Sequence, residues 1–242
     1  MRVDGLDLAL RPRPMAEAAD LGAALVRHHA DSVWRSFLPV YGVVVVLALC
    51  SAEIATWLPT LVIFWLKPWL DRSLLFILSR AVFGQATHWR DLWAARRAVW
   101  GGQLVRTLTL RRLSPWRSFR QAIEQLEGQR GSARRKRRGQ LLKGRSGAAT
   151  AMQLAFGNAE MALYLGVLSV TLWAAPEGGV RQMFGWLVNT DSVVSSVLVA
   201  TGYALAVGLL EPFYVAAGFA MYLNRRVELE AWDIEQEFRR AF

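Results

Sequence analysis

Residues Pro59–Gly84 read PTLVIFWLKPWLDRSLLFILSRAVFG, an apolar run with Lys67, Asp71 and Arg72 near its middle. A helix rises about 1.5 Å per residue and the hydrocarbon core of a bilayer is about 30 Å thick, so this run can cross a membrane. A charge at the centre of such a helix costs roughly 2.5–3.5 kcal/mol on insertion scales. Three charges therefore need partners inside a helix bundle, or they mark a polar site that uses them.

Three other apolar runs accompany it. Ser36–Ala52 is free of charge and contains VVVVLAL; Gly147–Ala175 holds Asn158 and Glu160; Ser192–Leu223 is interrupted by Glu211-Pro212. The last run is rich in Gly and Ala, which let neighbouring helices approach closely. With 242 residues, 54% of them apolar, the chain is too hydrophobic for an ordinary soluble domain. The expected fold is all-α: a polytopic integral membrane protein of about four transmembrane helices, some kinked or broken at Pro68 and Pro212, with amphipathic cytoplasmic helices. It divides into an N-terminal amphipathic segment (1–35), a first transmembrane hairpin (36–83), a basic cytoplasmic loop with interfacial helices (84–147), a second hairpin (148–223) and a C-terminal amphipathic helix (224–242). Acidic residues among the first twenty and the lack of an apolar core there exclude a cleavable signal peptide, which makes the first span an uncleaved anchor.

The net charge is +10, and its distribution orients the chain. Sixteen of the 29 Lys and Arg residues lie in 85–147, five in 1–35 and four in the tail, against one in 176–191 and none between the first two spans. Basic loops stay inside, so both termini and the central loop are expected in the cytoplasm. Within that loop Trp89, Trp93, Trp100, Leu104, Leu108 and Trp116 alternate with arginines, which suits helices lying in the interface. The run Arg134, Arg135, Lys136, Arg137, Arg138 is assigned to anionic lipid headgroups. No module that reads nucleic acid accompanies it.

Pro68 lacks a backbone donor and disfavours helical dihedrals at Lys67, so either a kink or a true break is expected there. LKPWLD around it is echoed by LEPFYV at Leu210–Val215. On straight helices Lys67, Glu211 and Glu160 all lie about 20 Å from the cytoplasmic boundary. Lys67, Asp71, Arg72, Glu160 and Glu211 thus form a candidate intramembrane polar cluster. Two readings stay open: an ion-pair network that locks the bundle, with Lys67–Glu211 the natural pair, or a polar chamber for a proton, ion, lipid headgroup or peptide.

No catalytic residue is assigned. There is no phosphate-binding loop, dinucleotide fingerprint or nucleophile elbow, the three histidines are not at metal-ligand spacing, and the lone Cys50 lies in an apolar run. Neither metal nor cofactor is expected. Taken together, LPTLVIFWLKPWLDRSLLFILSRAVFGQ, TLTLRRLSPWRSFRQ, EPFYVAAGFAMYLNRR and ELEAWDIEQEFRRAF resemble a family of uncharacterised bacterial polytopic membrane proteins. Longer members carry a C-terminal domain of the kind appended to transglutaminase-like proteins. Their genes resemble those beside a MoxR-type AAA ATPase, a von Willebrand factor A-type protein and a sporulation-stage-II-M-like membrane protein. Against those longer members, a chain stopping at Phe242 is a short form or a membrane part alone. The resemblance implies a component of a membrane-associated assembly linked to envelope maintenance, and it transfers no functional residue. The leading expectation is a non-enzymatic inner-membrane scaffold or complex subunit, whose partners are anionic lipid and other membrane proteins or a cytoplasmic ATPase. The alternative is a small transporter or channel subunit using the charged cluster; a membrane enzyme is a weaker third.

Overall fold

A computed structural model describes residues 11–101, 116–129, 131–173 and 192–230, together with positions 179, 181, 184 and 185. Residues 1–10, the stretch with Leu104 and Leu108, most of the 176–191 loop and residues 231–242 of the expected tail helix lie outside the described residues. Every regular element among the described residues is helical: α1 (Met15–His28), α2 (Ala30–Cys50), α3 (Leu58–Ala81), α4 (Trp89–Ala94), α5 (Arg96–Val99), α6 (Arg117–Gln125), α7 (Gly131–Leu142), α8 (Ser146–Trp173) and α9 (Val193–Glu230). Two stretches, Ala30–Glu53 and Val193–Glu230, are long and apolar enough to cross a membrane.

The long helix α9 is the axis on which α1, α2, α3, α6 and α8 pack. Small residues make this possible. A methyl group at Gly22 of α1 would lie 2.6 Å from the Ala217 nitrogen, so the two helices touch backbone to backbone. At Gly208 the space a side chain would occupy is taken by the Tyr41 ring of α2, whose hydroxyl donates to the Ala204 carbonyl at 2.6 Å. The face of α1 that is buried reads Met15, Ala18, Gly22, Leu25 and Val26. Ala18 and Gly22 let the backbones approach, and Met15, Leu25 and Val26 fill the contact around them.

α1 and α2 are separated only by His29, so the second helix begins at Ala30, earlier than the expected span at Ser36. A 3₁₀ turn at Ser51–Glu53 reverses the chain into α3, and Ser196 of α9 donates to the Thr56 carbonyl at that end. Of the two outcomes open at Pro68, the chain does not break into two helices: α3 runs through Pro68, and α9 through Pro212. Pro39 inside α2 is a third interior proline. At the other end of the hairpin, Ser32 and Ser36 of α2 hold the Thr87 carbonyl at 3.1 and 2.7 Å, fixing the chain where it leaves α3.

The central segment does not lie wholly on the surface. α6 buries Ser118, Phe119, Ala122 and Ile123, the spacing of one helical face. Its Gln121 and Gln125 donate to the Pro68 and Arg72 carbonyls of α3 at 3.3 and 2.9 Å, and Phe119 meets Tyr222 of α9 edge to face. The N-terminus of α6 therefore reaches the level of Pro68 and Glu211 and its C-terminus returns toward the basic end.

Candidate functional site

The network begins with helical spacing. Lys67 and Asp71 are one turn apart on α3, so they share a face, and that face meets α9 where Glu211 stands before Pro212. Glu160 comes from α8 and Arg117 from the first residue of α6. Lys67 Nζ lies 2.5 Å from Glu160 Oε2 and 2.9 Å from Glu211 Oε2. Arg117 lies 2.6 Å from the other Glu211 oxygen and 3.1 Å from Asp71 Oδ2. The charges alternate in one row: Glu160, Lys67, Glu211, Arg117, Asp71. Glu211 is the joint, holding one cation on each carboxylate oxygen.

Burial deepens from carboxylate to carboxylate along the row. The Asp71 side chain is 0% exposed and Glu211 2%, while Glu160 at the other end is 20% exposed. Tyrosines line the row. Tyr203 donates to Glu160 Oε1 at 3.0 Å, and the Arg117 guanidinium stands 4.9 Å from the centre of the Tyr214 ring. Tyr214 in turn donates to Gln153 and accepts the Ser118 N–H at 3.3 Å. Asp71 is the exception, since neither of its oxygens is aligned for a hydrogen bond although Arg117 is at ion-pair distance. With three carboxylates against two cations, the row holds one acid more than it can neutralise.

The structure brings Lys67, Asp71, Glu160 and Glu211 together and leaves Arg72 outside. Arg72 points to the opposite side of α3, where its Nε donates to the Val99 carbonyl at 2.5 Å and its Nη2 to Ala98 at 3.5 Å. It thereby closes the C-terminal end of α5 onto α3, and Trp100 Nε1 adds a 2.8 Å bond to the buried Ser73 hydroxyl. The second cation of the row is Arg117, which hydropathy places in a polar loop. Its signal was local: Pro115 and Trp116 before it and the amphipathic pattern of 117–125 after it.

The basic run on α7 is divided between two faces. Arg134 pairs with Glu124, and Arg137 with Glu127 (2.9 Å) and Glu230. Those carboxylates hold the Arg137 guanidinium more firmly protonated than an ordinary arginine. Arg135 and Lys136 are exposed, and Arg138 is half-buried. Arg225 of α9 closes the end of α7 by donating to the Leu141 and Lys143 carbonyls, both at 3.2 Å.

Among the described residues no group of three or more His, Cys, Asp or Glu side chains is placed to hold a metal ion. A groove of about 420 Å³ runs between α2, α3 and the α4–α5 elbow, and a crevice of about 30 Å³ lies between α1 and α9. Neither touches a member of the charged row. No protein-family model, curated protein or solved structure matches this chain, so the functional reading rests on the geometry.

Proposed function

We propose that the chain is a four-span inner-membrane bundle with both termini cytoplasmic, acting as a non-enzymatic scaffold or subunit of a membrane-associated complex. The observation that carries this is the outer surface. Val43, Val46 and Leu47 on α2, and Leu154, Leu165 and Val170 on α8, are all more than half exposed. A water-soluble protein rarely leaves such large apolar side chains in continuous stripes; a bilayer solvates them. α3 carries Lys67 and Asp71 in its middle and α8 carries Glu160, and the pairing of the row lowers the cost of burying them.

The scaffold reading gains further support from the closure of the row. Each cation has two carboxylates in reach, and Lys67 and Arg117 tie α3, α6, α8 and α9 to one another. Such a row specifies how helices seat more than it supplies chemistry. Arg135 and Lys136, exposed on α7, are suited to anionic headgroups. The resemblance to proteins encoded beside an AAA ATPase makes a cytoplasmic ATPase the partner we propose.

A second reading, a small transporter or channel subunit, is favoured by one observation: the surplus carboxylate of the row and the unaligned oxygens of Asp71. Purification in mild detergent separates the two. A stoichiometric partner that stays bound through size exclusion supports the scaffold. No partner, together with proton or ion flux into liposomes that Asp71→Asn abolishes, replaces it with the transporter.

A further inference from the structure

The groove on the α2–α3 hairpin is a built feature. Its floor is Val43 and Leu47 of α2 with Trp69 of α3, and its wall is Trp89, Trp93 and Trp100 from the α4–α5 elbow. Trp69 and Trp100 stack at 5.3 Å, and Trp93 meets Trp100 edge-on at 6.1 Å. The wall is anchored from behind by the bonds Arg72 and Ser73 make to the elbow, and by Leu92, which is fully buried. Tryptophan rings concentrate where hydrocarbon meets headgroups, so the groove opens at that level and runs down α2 into the hydrocarbon.

The elbow that makes the wall also carries arginines. Arg90 and Arg96 are exposed on the elbow, and among the described residues neither has an acidic partner. Arg96 is held over the Trp93 ring at 5.4 Å and donates to the Trp93 carbonyl at 3.1 Å. The acidic residue between them, Asp91, is occupied in capping α4, where it accepts the His88 N–H at 2.9 Å. An apolar slot with a fixed aromatic wall, and with Arg96 held over one of the wall's rings, is complementary to one kind of occupant.

We infer that this groove binds a single anionic phospholipid, with an acyl chain between α2 and the tryptophan wall and its phosphate on Arg90 and Arg96. The inference rests on the membrane reading and adds a defined lipid site to it. An acyl chain gains little by exchanging bulk lipid for an apolar slot, so the guanidinium pair must supply the preference. The full chain in nanodiscs containing brominated phosphatidylglycerol as the minor lipid tests it, because bromine quenches tryptophan on contact. Quenching several-fold stronger than with the same fraction of brominated phosphatidylcholine is expected. R90Q/R96Q should equalise the two lipids, and Val43→Phe, which fills the slot, should weaken quenching by both. Equal quenching in the parent chain, or a preference that survives R90Q/R96Q, overturns the site. A photo-crosslinking residue at position 43 that captures a protein chain and no phospholipid overturns it too, and gives the groove to a helix. Alkaline carbonate extraction separates the layers of the argument. Release from membranes removes the membrane reading and the site with it; retention with equal quenching removes the site alone.

Discussion

Glu211 is the residue on which the polar interior turns, because its two oxygens serve two different cations. A simple pair tolerates reversal. Here, reversing Lys67 and Glu211 would put a lysine at 211 beside Arg117, so K67E/E211K is expected to remain as unstable as either single change, read as the thermal midpoint in detergent. Lys67→Met alone leaves Glu160 and Glu211 short of a cation, and breaking a buried pair in this way costs about 3–5 kcal/mol. Asp71→Asn should be the mildest change in the row, since Arg117 keeps Glu211 and no charge is left without a partner. Depth along straight helices made Lys67, Glu160 and Glu211 legible as neighbours before any coordinates. Depth alone could not tell which face Arg72 takes, and four residues after Pro68 it faces the elbow while Asp71 faces the row. Arg117 was hidden for another reason. Hydropathy averages over a window, and an arginine among polar residues gives no sign of entering a bundle unless the periodicity after it is read separately.

Among elements, α1 and α9 show how little side chain a firm contact needs. Adding a methyl group at Gly22 drives it into the Ala216–Ala217 backbone, which has no rotamer with which to move aside. Gly22→Ala should therefore destabilise the bundle by about 1–3 kcal/mol, despite the better helix propensity of alanine. Gly42 on α2 has nothing within 4 Å of the same position, so Gly42→Ala is the control, expected neutral or stabilising by up to about 1 kcal/mol. Melting both variants side by side checks the contact. Beyond Pro68, α6 runs along α3: Gln121 and Gln125 donate to the Pro68 and Arg72 carbonyls, so protein covers this part of the helix.

For the whole molecule, the proposed orientation makes one end of the hairpin reachable from each side. In a Cys50→Ser background, a cysteine at Glu53 should react with an impermeant maleimide from outside intact cells, and one at Lys136 only after the membrane is opened. Labelling of both from the same side would remove the four-span arrangement. The all-helical class was legible because apolar runs of this length are too long for strands and fold as long helices. The descent of α6 into the bundle was not, because it depends on which buried carboxylates wait there.

That descent and the charged row have a consequence for how the protein is made. Synthesis proceeds from the N-terminus, so on the proposed four-span arrangement α3 would reach the membrane carrying Lys67 well before its partner exists. Glu160 follows 93 residues later, roughly 5–20 s at about 5–20 residues per second. Glu211 comes later still, and α1 must wait for the same final helix to give it a seat. The nascent hairpin therefore has to be sheltered, at the headgroup level or by the insertion machinery, until α8 and α9 arrive. A stalled chain ending before Ser146 should stay in the membrane through α2 yet be short-lived in the cell, while one released after Glu230 should be long-lived.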